Sequence, residues 1–339
     1  MKKEQILKII EECNLPDTCS NVELAETHIS WIILSDNFAF KIKKPVKFNF
    51  LDFSDREKRK YYCRKEVVLN SRIDSDIYHG IEEVITLSDD YYIDNNQPGE
   101  TIDHAVKMTR LNGEMQMNKL LEKDAIQSVQ IEQLAEKVAD FHKRTTIIKK
   151  NLEKDALRKK YNDIETEKEI LEVNGNKRKK EIIEQAVEAS NDFLDKRFDI
   201  IQQRCVNGYR RDCHGDLHSR NIFIRDEPVI FDCVEFNDSF REIDVLNDIA
   251  FFCMDLDFWG KEELSEAFYT LYHKNFGTED DEETREIFNY YKSYRANVRS
   301  KVAALKAEEM EDGAGKDKKL EESKKYLQLM ENYLEKLNI

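Results

Sequence analysis

Apolar positions change their period several times along this chain, and each change marks an element. Ile6, Ile9, Ile10 and Cys13 recur at helical spacing, which predicts an amphipathic helix over residues 2–13. From Val22 to Lys43 the period shortens to two. Trp31-Ile32-Ile33-Leu34, a turn at Ser35-Asp36-Asn37, and Phe38 and Phe40 alternating with Ala39, Lys41 and Lys43 read as strands of a small antiparallel sheet. Ser54 followed by Glu57 has the form of a capping box and predicts a helix running to about Ile73, with Tyr62, Glu66, Leu69 and Ile73 on one face. Two further strands, residues 82–87 and 91–94, precede a stretch over 103–111 that ends near Gly113.

Beyond Gly113 the helical period dominates, with Ile131, Leu134, Ala135, Val138 and Phe141 on one stripe. A division near residue 111 follows: a strand-rich segment over 1–110 and a helical segment over 111–339. Residues 143–190, dense in Lys and Glu and including the basic run 177–180, read as a solvated helical pair. One strand-like island interrupts the helices, residues 221–236 folding about a turn at Asp226-Glu227-Pro228. Helices resume from about Val245, and Gly313 to Lys319 reads as a loop before the last one.

Composition narrows the chemistry. Of 339 residues only 10 are glycine and the first is Gly80, so neither GxGxxG nor GxxxxGK[ST] can be written anywhere, excluding a Rossmann fingerprint and a Walker-type P-loop. The net charge of −15 disfavours nucleic acid and anionic membrane surfaces as partners. Seven cysteines, odd in number and without a CxxC pair, read as reduced thiols of a cytoplasmic protein. No run has the length of a signal sequence core or a membrane span.

The informative stretch is Cys213-His214-Gly215-Asp216-Leu217-His218-Ser219-Arg220-Asn221, followed eleven residues on by Asp232. Asp and Asn five apart, leading through a hairpin to a second Asp, supply hard oxygen donors for Mg²⁺ and a carboxylate for the proton of an attacking hydroxyl, the set that phosphoryl transfer requires. The spacing equals that of the kinase catalytic loop. His214, His218 and Cys213 lack the helical spacing of a zinc site, and neighbours in sequence make a poor nucleophilic triad.

These residues resemble the HGDxHxxN loop of the aminoglycoside phosphotransferase-like kinases. Further segments resemble a bacterial group of that family: Glu26-Thr27-His28-Ile29-Ser30-Trp31, Phe40-Lys41-Ile42-Lys43-Lys44-Pro45-Val46, Phe50-Leu51-Asp52-Phe53, Phe231-Asp232-Cys233-Val234-Glu235-Phe236-Asn237, and the tail Tyr294-Arg295-Ala296-Asn297-Val298-Arg299-Ser300-Lys301. The resemblance covers residues 20 to 305 or so and is to a stand-alone form without the fused P-loop kinase domain of many members. It implies an α+β, two-lobed protein-kinase-like fold, with a small antiparallel-sheet N-lobe, a mostly helical C-lobe, and ATP with Mg²⁺ as cofactors.

The resemblance also implies roles. Asp216 is then the catalytic base, and Asn221 and Asp232 hold the metal. Lys41 pairs with the nucleotide phosphates, with Lys43 on the same face as its competitor. Glu66, a carboxylate in an apolar stripe, partners that lysine or else reaches solvent. Thr27 and Ser30 stand where kinases place the loop over the phosphates. Met108 opens the connector that meets a purine, or is core. His214 and Asp248 support the catalytic loop. Glu235, Asp238, Asp255 and Asp257 offer an acidic wall suited to a cationic or polyol acceptor. The expectation is an ATP- and Mg²⁺-dependent phosphotransferase acting on a small-molecule hydroxyl. The alternatives are a nucleotide-binding regulator acting with a separate P-loop kinase partner, and an enzyme that modifies a protein.

Overall fold

A computed structural model describes residues 1–167 and 177–337. The chain divides into two compact units, Met1–Lys119 with Arg220–Phe240, and Leu120–Ser219 with Arg241–Ile339.

The first unit opens with α1 (Lys3–Glu11) and β1 (Glu23–Glu26), β2 (Ser30–Leu34) and β3 (Phe38–Lys43). A two-stranded hairpin of β4 (Lys47–Phe48) and β5 (Leu51–Asp52) precedes α2 (Arg56–Asn70), and β6 (Tyr78–Leu87), β7 (Asp90–Ile93) and β8 (Glu100–Thr109) follow. Six strands form one antiparallel sheet in the order β1-β2-β3-β8-β6-β7. Both faces of β3 are covered, so its alternation sorts side chains between two cores rather than between core and water. Phe40 and Ile42 pack with Ile6, Ile9, Trp31 and Ile33 beneath α1. Ala39, with Cys63, Tyr78, Val106 and Met108, lies in the core on the other face.

The α2 helix begins one residue later than the capping pattern suggests. Asp55 is the N-cap, its carboxylate accepting from the Lys58 N–H at 2.9 Å, while the Ser54 hydroxyl donates to Asp52. A carboxylate at this position also meets the positive end of the helix dipole, which favours it over the serine. The helix ends at Asn70, before Ile73.

The cysteines depart from expectation. Cys13 and Cys19 are joined by a disulfide, their Cα atoms 5.9 Å apart. The turn after α1, closed by the Asn14 N–H on the Ile9 carbonyl, brings the chain back within bridging range, and an odd total conceals such a pair. The other five cysteines are free and buried.

After α3 (Met117–Glu122) the second unit contains α4 (Ser128–Arg144), α5 (Lys154–Asn162) and α6 (Lys177–Val206). The short strand β9 (Arg210–Asp212) pairs with β12 (Glu242–Asp244), and the hairpin β10 (Ile222–Phe223) and β11 (Val229–Ile230) belongs to the first unit. The helices α7 (Val245–Phe258), α8 (Glu262–Phe276), α9 (Glu282–Glu308) and α10 (Ala314–Leu334) complete the chain. The expected stripe of α4 is buried. Part of the solvated helical pair, residues 168–176, lies outside the described residues. What is seen of its second helix buries Ile182, Ile183, Phe193, Leu194 and Ile201. The stretch 314–319, expected as loop, is the first turn and a half of α10. Among the described residues no helix is long and apolar enough to cross a membrane.

Candidate active site

Alternation along β3 sends Lys41 and Lys43 to the face that α2 covers. There α2 turns Cys63, Glu66, Leu69 and Asn70 inward. Glu66 is fully buried and accepts one lysine on each oxygen, Lys41 at 2.8 Å on Oε1 and Lys43 at 2.6 Å on Oε2. The pairing continues outward at both ends. Lys41 reaches Asp232 Oδ1 at 2.6 Å, and Lys43 pairs with Glu235. The result is a chain of alternating charge in the order Asp232, Lys41, Glu66, Lys43, Glu235.

The two ends differ. Glu235 and Lys43 are buried, with the ammonium of Lys43 4.9 Å from the centre of the Phe53 ring, whereas the Asp232 side chain is 39% exposed. Burial opposes the charge on Lys41, but Asp232 and Glu66 overcome it and raise its pKa well above the ordinary value. For Glu66 burial opposes ionisation, and the two lysines more than offset it, bringing the carboxyl down to about 2. Glu235 goes the other way: burial pushes it up, against the pull of Lys43. Of the two lysines that the sequence left in competition, Lys41 is the one in contact with Asp232.

Asp232 is set by its backbone. It follows the β10–β11 hairpin in the left-handed region, at φ 64°, which a non-glycine residue adopts only when its surroundings impose it. Three hydrogen bonds do so: the Ile230 N–H donates to Asp74 Oδ2 at 2.7 Å, the Asp232 N–H to the Tyr78 hydroxyl at 3.2 Å, and the Cys233 N–H to Asn70 Oδ1 at 2.8 Å. The Phe231 N–H donates to the Asn221 carbonyl at 3.1 Å, so the hairpin brings Asn221 beside the segment that carries Asp232. A carboxylate and a side-chain amide on neighbouring segments are hard oxygen donors of the kind that fits Mg²⁺.

The loop with Asp216 belongs to the second unit and is clamped from several sides. Gly215 takes φ 86°, for which glycine carries no steric penalty. The backbone N–H groups of His214 and Gly215 donate to the two oxygens of Asp248 at 3.0 and 2.8 Å. Asp248 also meets His142 Nε2 at 3.1 Å, and His142 Nδ1 meets the Tyr272 hydroxyl at 2.8 Å. Arg295 donates from Nη1 to the Gly215 carbonyl at 3.1 Å, and Asp255 accepts the Ser219 N–H at 2.8 Å. His142, Cys213 and Asp248 lie close enough together to suggest a metal centre, but both His142 nitrogens and both Asp248 oxygens are engaged, so the cluster is a brace.

Asp216 itself has a 39% exposed side chain, with Oδ2 3.4 Å from His218 Nε2. Partial burial opposes ionisation, yet the His218 ring, together with Arg299 and His214, reverses the balance and holds the carboxyl well below the usual carboxylate range.

The remaining candidates are placed differently. The Thr27 hydroxyl accepts the Ile29 and Ser30 N–H groups, and the Ser30 Oγ is buried opposite Lys43, without a hydrogen-bond partner. The Thr27 hydroxyl is therefore engaged within the β1–β2 hairpin, while the Ser30 side chain shares the sheet face of Lys43. Met108 is buried opposite Ala39 and packs in the same apolar cluster as Phe223 and half-buried Phe231. The acidic wall does not exist as a free surface. Glu235 holds Lys43, exposed Asp238 pairs with Lys65, Asp255 accepts from Ser219, and buried Asp257 pairs with Lys292 and the Tyr333 hydroxyl. Sequence reasoning missed His142, Asn70, Tyr78 and the part that Arg295 plays at the loop. Only His142 left a signal, as a histidine beside Phe141 on a helix whose other stripe positions are apolar.

The signature of the phosphotransferase enzyme family matches residues 90–287, more than half of the chain, and takes in Asp216, Asn221, Asp232 and Asp248. The chain belongs to that family. Among its relatives is an uncharacterised protein of Mycobacterium tuberculosis, 28% identical over 292 residues that make up 84% of this chain and 55% of the relative. This phosphotransferase chain thus spans about half the length of the curated relatives it matches. It is similar in fold to a choline kinase from Cryptosporidium parvum, at TM-score 0.56 and 13% identity, with 99% of this chain and 95% of that one covered. It is equally similar to an aminoglycoside phosphotransferase solved with GDP and kanamycin, at TM-score 0.56 and 14% identity, covering 98% and 99%. At these identities the likeness establishes the α+β fold of protein-kinase type. It lends no weight to a separate P-loop partner.

Proposed function

We propose that this phosphotransferase moves the γ-phosphoryl group of ATP, in the presence of Mg²⁺, to a hydroxyl group of a small molecule of polyol or sugar type. The observation that carries this reading is the run of ion pairs from Asp232 through Lys41 to Glu66, whose open end is the exposed carboxylate.

In this reading Lys41 exchanges part of its contact with Asp232 for the α and β phosphates, while Glu66 keeps the ammonium in place. Asn221 and Asp232 hold the metal, which when bound neutralises phosphate charge. Met108 and the connector to Leu111 receive the base. Asp216 accepts the proton of the acceptor hydroxyl as its oxygen bonds to the γ-phosphorus, and the bond to the bridging oxygen breaks to release the nucleoside diphosphate. Asp248, His214, His142 and Arg295 keep the Asp216 loop in one conformation. Positioning and charge compensation account for the catalysis, as a loose transition state requires.

The test is release of diphosphate from Mg·ATP and Mg·GTP over a panel of hydroxyl compounds. Lys41→Met and Asp232→Asn should each weaken nucleotide binding about 10-fold or more, the scale of a lost charge-assisted contact. Unchanged nucleotide binding in both variants refutes the reading.

A further inference from the structure

The tail motif Tyr294 to Lys301 lies in α9 and places two arginines one turn apart, at 295 and 299, on the same helix face. Arg295 is consumed by structure. Its Nε donates to Asn247 Oδ1 at 2.6 Å and its Nη1 to the Gly215 carbonyl, and its guanidinium lies 4.8 Å from the Phe251 ring centre. Arg299 is not consumed in this way. It is half-buried, its Nε is buried without a hydrogen-bond partner, and it makes no ion pair among the described residues. Its charge nevertheless acts on Asp216 and on Asp255, the carboxylate that ties down Ser219.

The guanidinium is held in place by Tyr326 on α10, with which it makes a side-chain hydrogen bond. Its carbon lies 5.6 Å from the centre of that ring, and Tyr326 stacks on Phe258 at 4.3 Å. A half-buried guanidinium that is hydrogen-bonded to a tyrosine but paired with no carboxylate retains donors for an anion. The carboxylates of the second unit once expected to receive a cationic acceptor are spent, Asp257 on Lys292 and Tyr333 and Asp255 on the Ser219 N–H. Arg299 belongs to the same unit as Asp216, the candidate base for the acceptor hydroxyl.

We infer that Arg299 anchors an acidic group of the acceptor, so that the substrate is a hydroxylated carboxylate or phosphate ester whose reacting hydroxyl faces Asp216. The inference rests on the phosphotransferase reading above and sharpens its substrate class. It also sets this chain apart from a kinase that recognises a polycation, because a cationic acceptor would meet Arg299 with like charge.

The test uses the full chain with Mg·ATP and matched acceptors: glucose, gluconate and glucose 6-phosphate; glycerol, glycerate and glycerol 3-phosphate; and choline and kanamycin as cations. An acidic member should be used with kcat/KM about 10-fold or more above its neutral counterpart, as a charge-assisted hydrogen bond allows. Arg299→Gln should raise the KM for that acid about 10- to 100-fold and leave the KM for Mg·ATP within about 2-fold, with Arg299→Lys in between. Preference for choline, kanamycin or the neutral compounds overturns the inference. So does an Arg299→Gln variant that lowers kcat equally for every acceptor, which would move Arg299 to the transferred phosphoryl group.

Calorimetric titration of gluconate and glucose 6-phosphate into the Mg·ADP-loaded chain gives a readout independent of turnover. Binding that Arg299→Gln abolishes supports the assignment, and no binding of either acid overturns it. The Lys41→Met control separates this failure from failure of the phosphotransferase reading, because it reports on nucleotide alone.

Discussion

Lys43→Met removes an ammonium that is fully buried between Glu66 Oε2, 2.6 Å away, and Glu235, while keeping most of the side-chain volume. The chain of charge then contains three carboxylates, Asp232, Glu66 and Glu235, against Lys41 alone, so its formal sum goes from −1 to −2. Glu235 is 3% exposed and its carboxyl is already pushed up by burial, so the folded variant relieves the excess charge by taking a proton there. Protonating a carboxyl of ordinary pKa near 4.3 costs about 1.36 × (7 − 4.3), or about 4 kcal/mol, at pH 7 and about 1 kcal/mol at pH 5. The first figure agrees with the 3–5 kcal/mol or so lost when one partner of a buried pair is removed. A raised folded-state pKa means that the native variant binds a proton which the unfolded chain releases. Its stability is therefore fullest below the ordinary carboxyl pKa and falls as pH rises. Urea unfolding followed by far-UV circular dichroism near pH 5 and pH 7 measures the difference from wild type. A deficit under about 1 kcal/mol at pH 7, or one that does not grow with pH, refutes the idea that Glu235 depends on Lys43.

Asp216→Asn should leave nucleotide binding intact and lower kcat about 100- to 10,000-fold, the range for loss of a general base. Because the wild-type carboxyl is held well below its usual range, the base form persists as pH falls, and kcat/KM should show no acid limb at the ordinary value of about 4. A limb at that value in the pH profile contradicts the electrostatic account of Asp216. The disulfide predicts five thiols reactive with a colorimetric reagent in unfolded, unreduced protein and two more after reduction. Replacing Cys13 and Cys19 by serine should cost about 2 kcal/mol in urea unfolding, the scale for so short a loop. Seven reactive thiols before reduction exclude the bridge.

Much of the architecture is legible because it rests on local period. Residues 3–11, 30–34, 38–43 and 128–144 adopt the elements that their apolar spacing predicts, and the loop from His214 to Asn221 stands out by its spacing as the candidate for the chemistry. Errors arise where a short-range rule has two solutions. Ser54 and Asp55 both suit a helix cap, and a Gly-rich, Lys-rich stretch such as 313–319 suits either a loop or the start of a helix.

The partners of charged side chains are the part that no local pattern encodes. Lys41 and Lys43 look equivalent in sequence, two residues apart on one face, and Glu235 looks like a surface acid. Only pairing across β3, α2 and the segment after β11, separated by as many as 192 residues, distinguishes an open end at Asp232 from a closed end at Glu235. Arg295 and Arg299 present the same contrast, identical in type and phase on α9, one hydrogen-bonded to Gly215 and the other left with a donor unused. The sequence by itself determined which residue types this protein offers for the proposed phosphoryl transfer and in what order. The tertiary structure decided which of them are spent on one another, because desolvation makes a buried charge find its counterion at whatever chain separation the fold supplies.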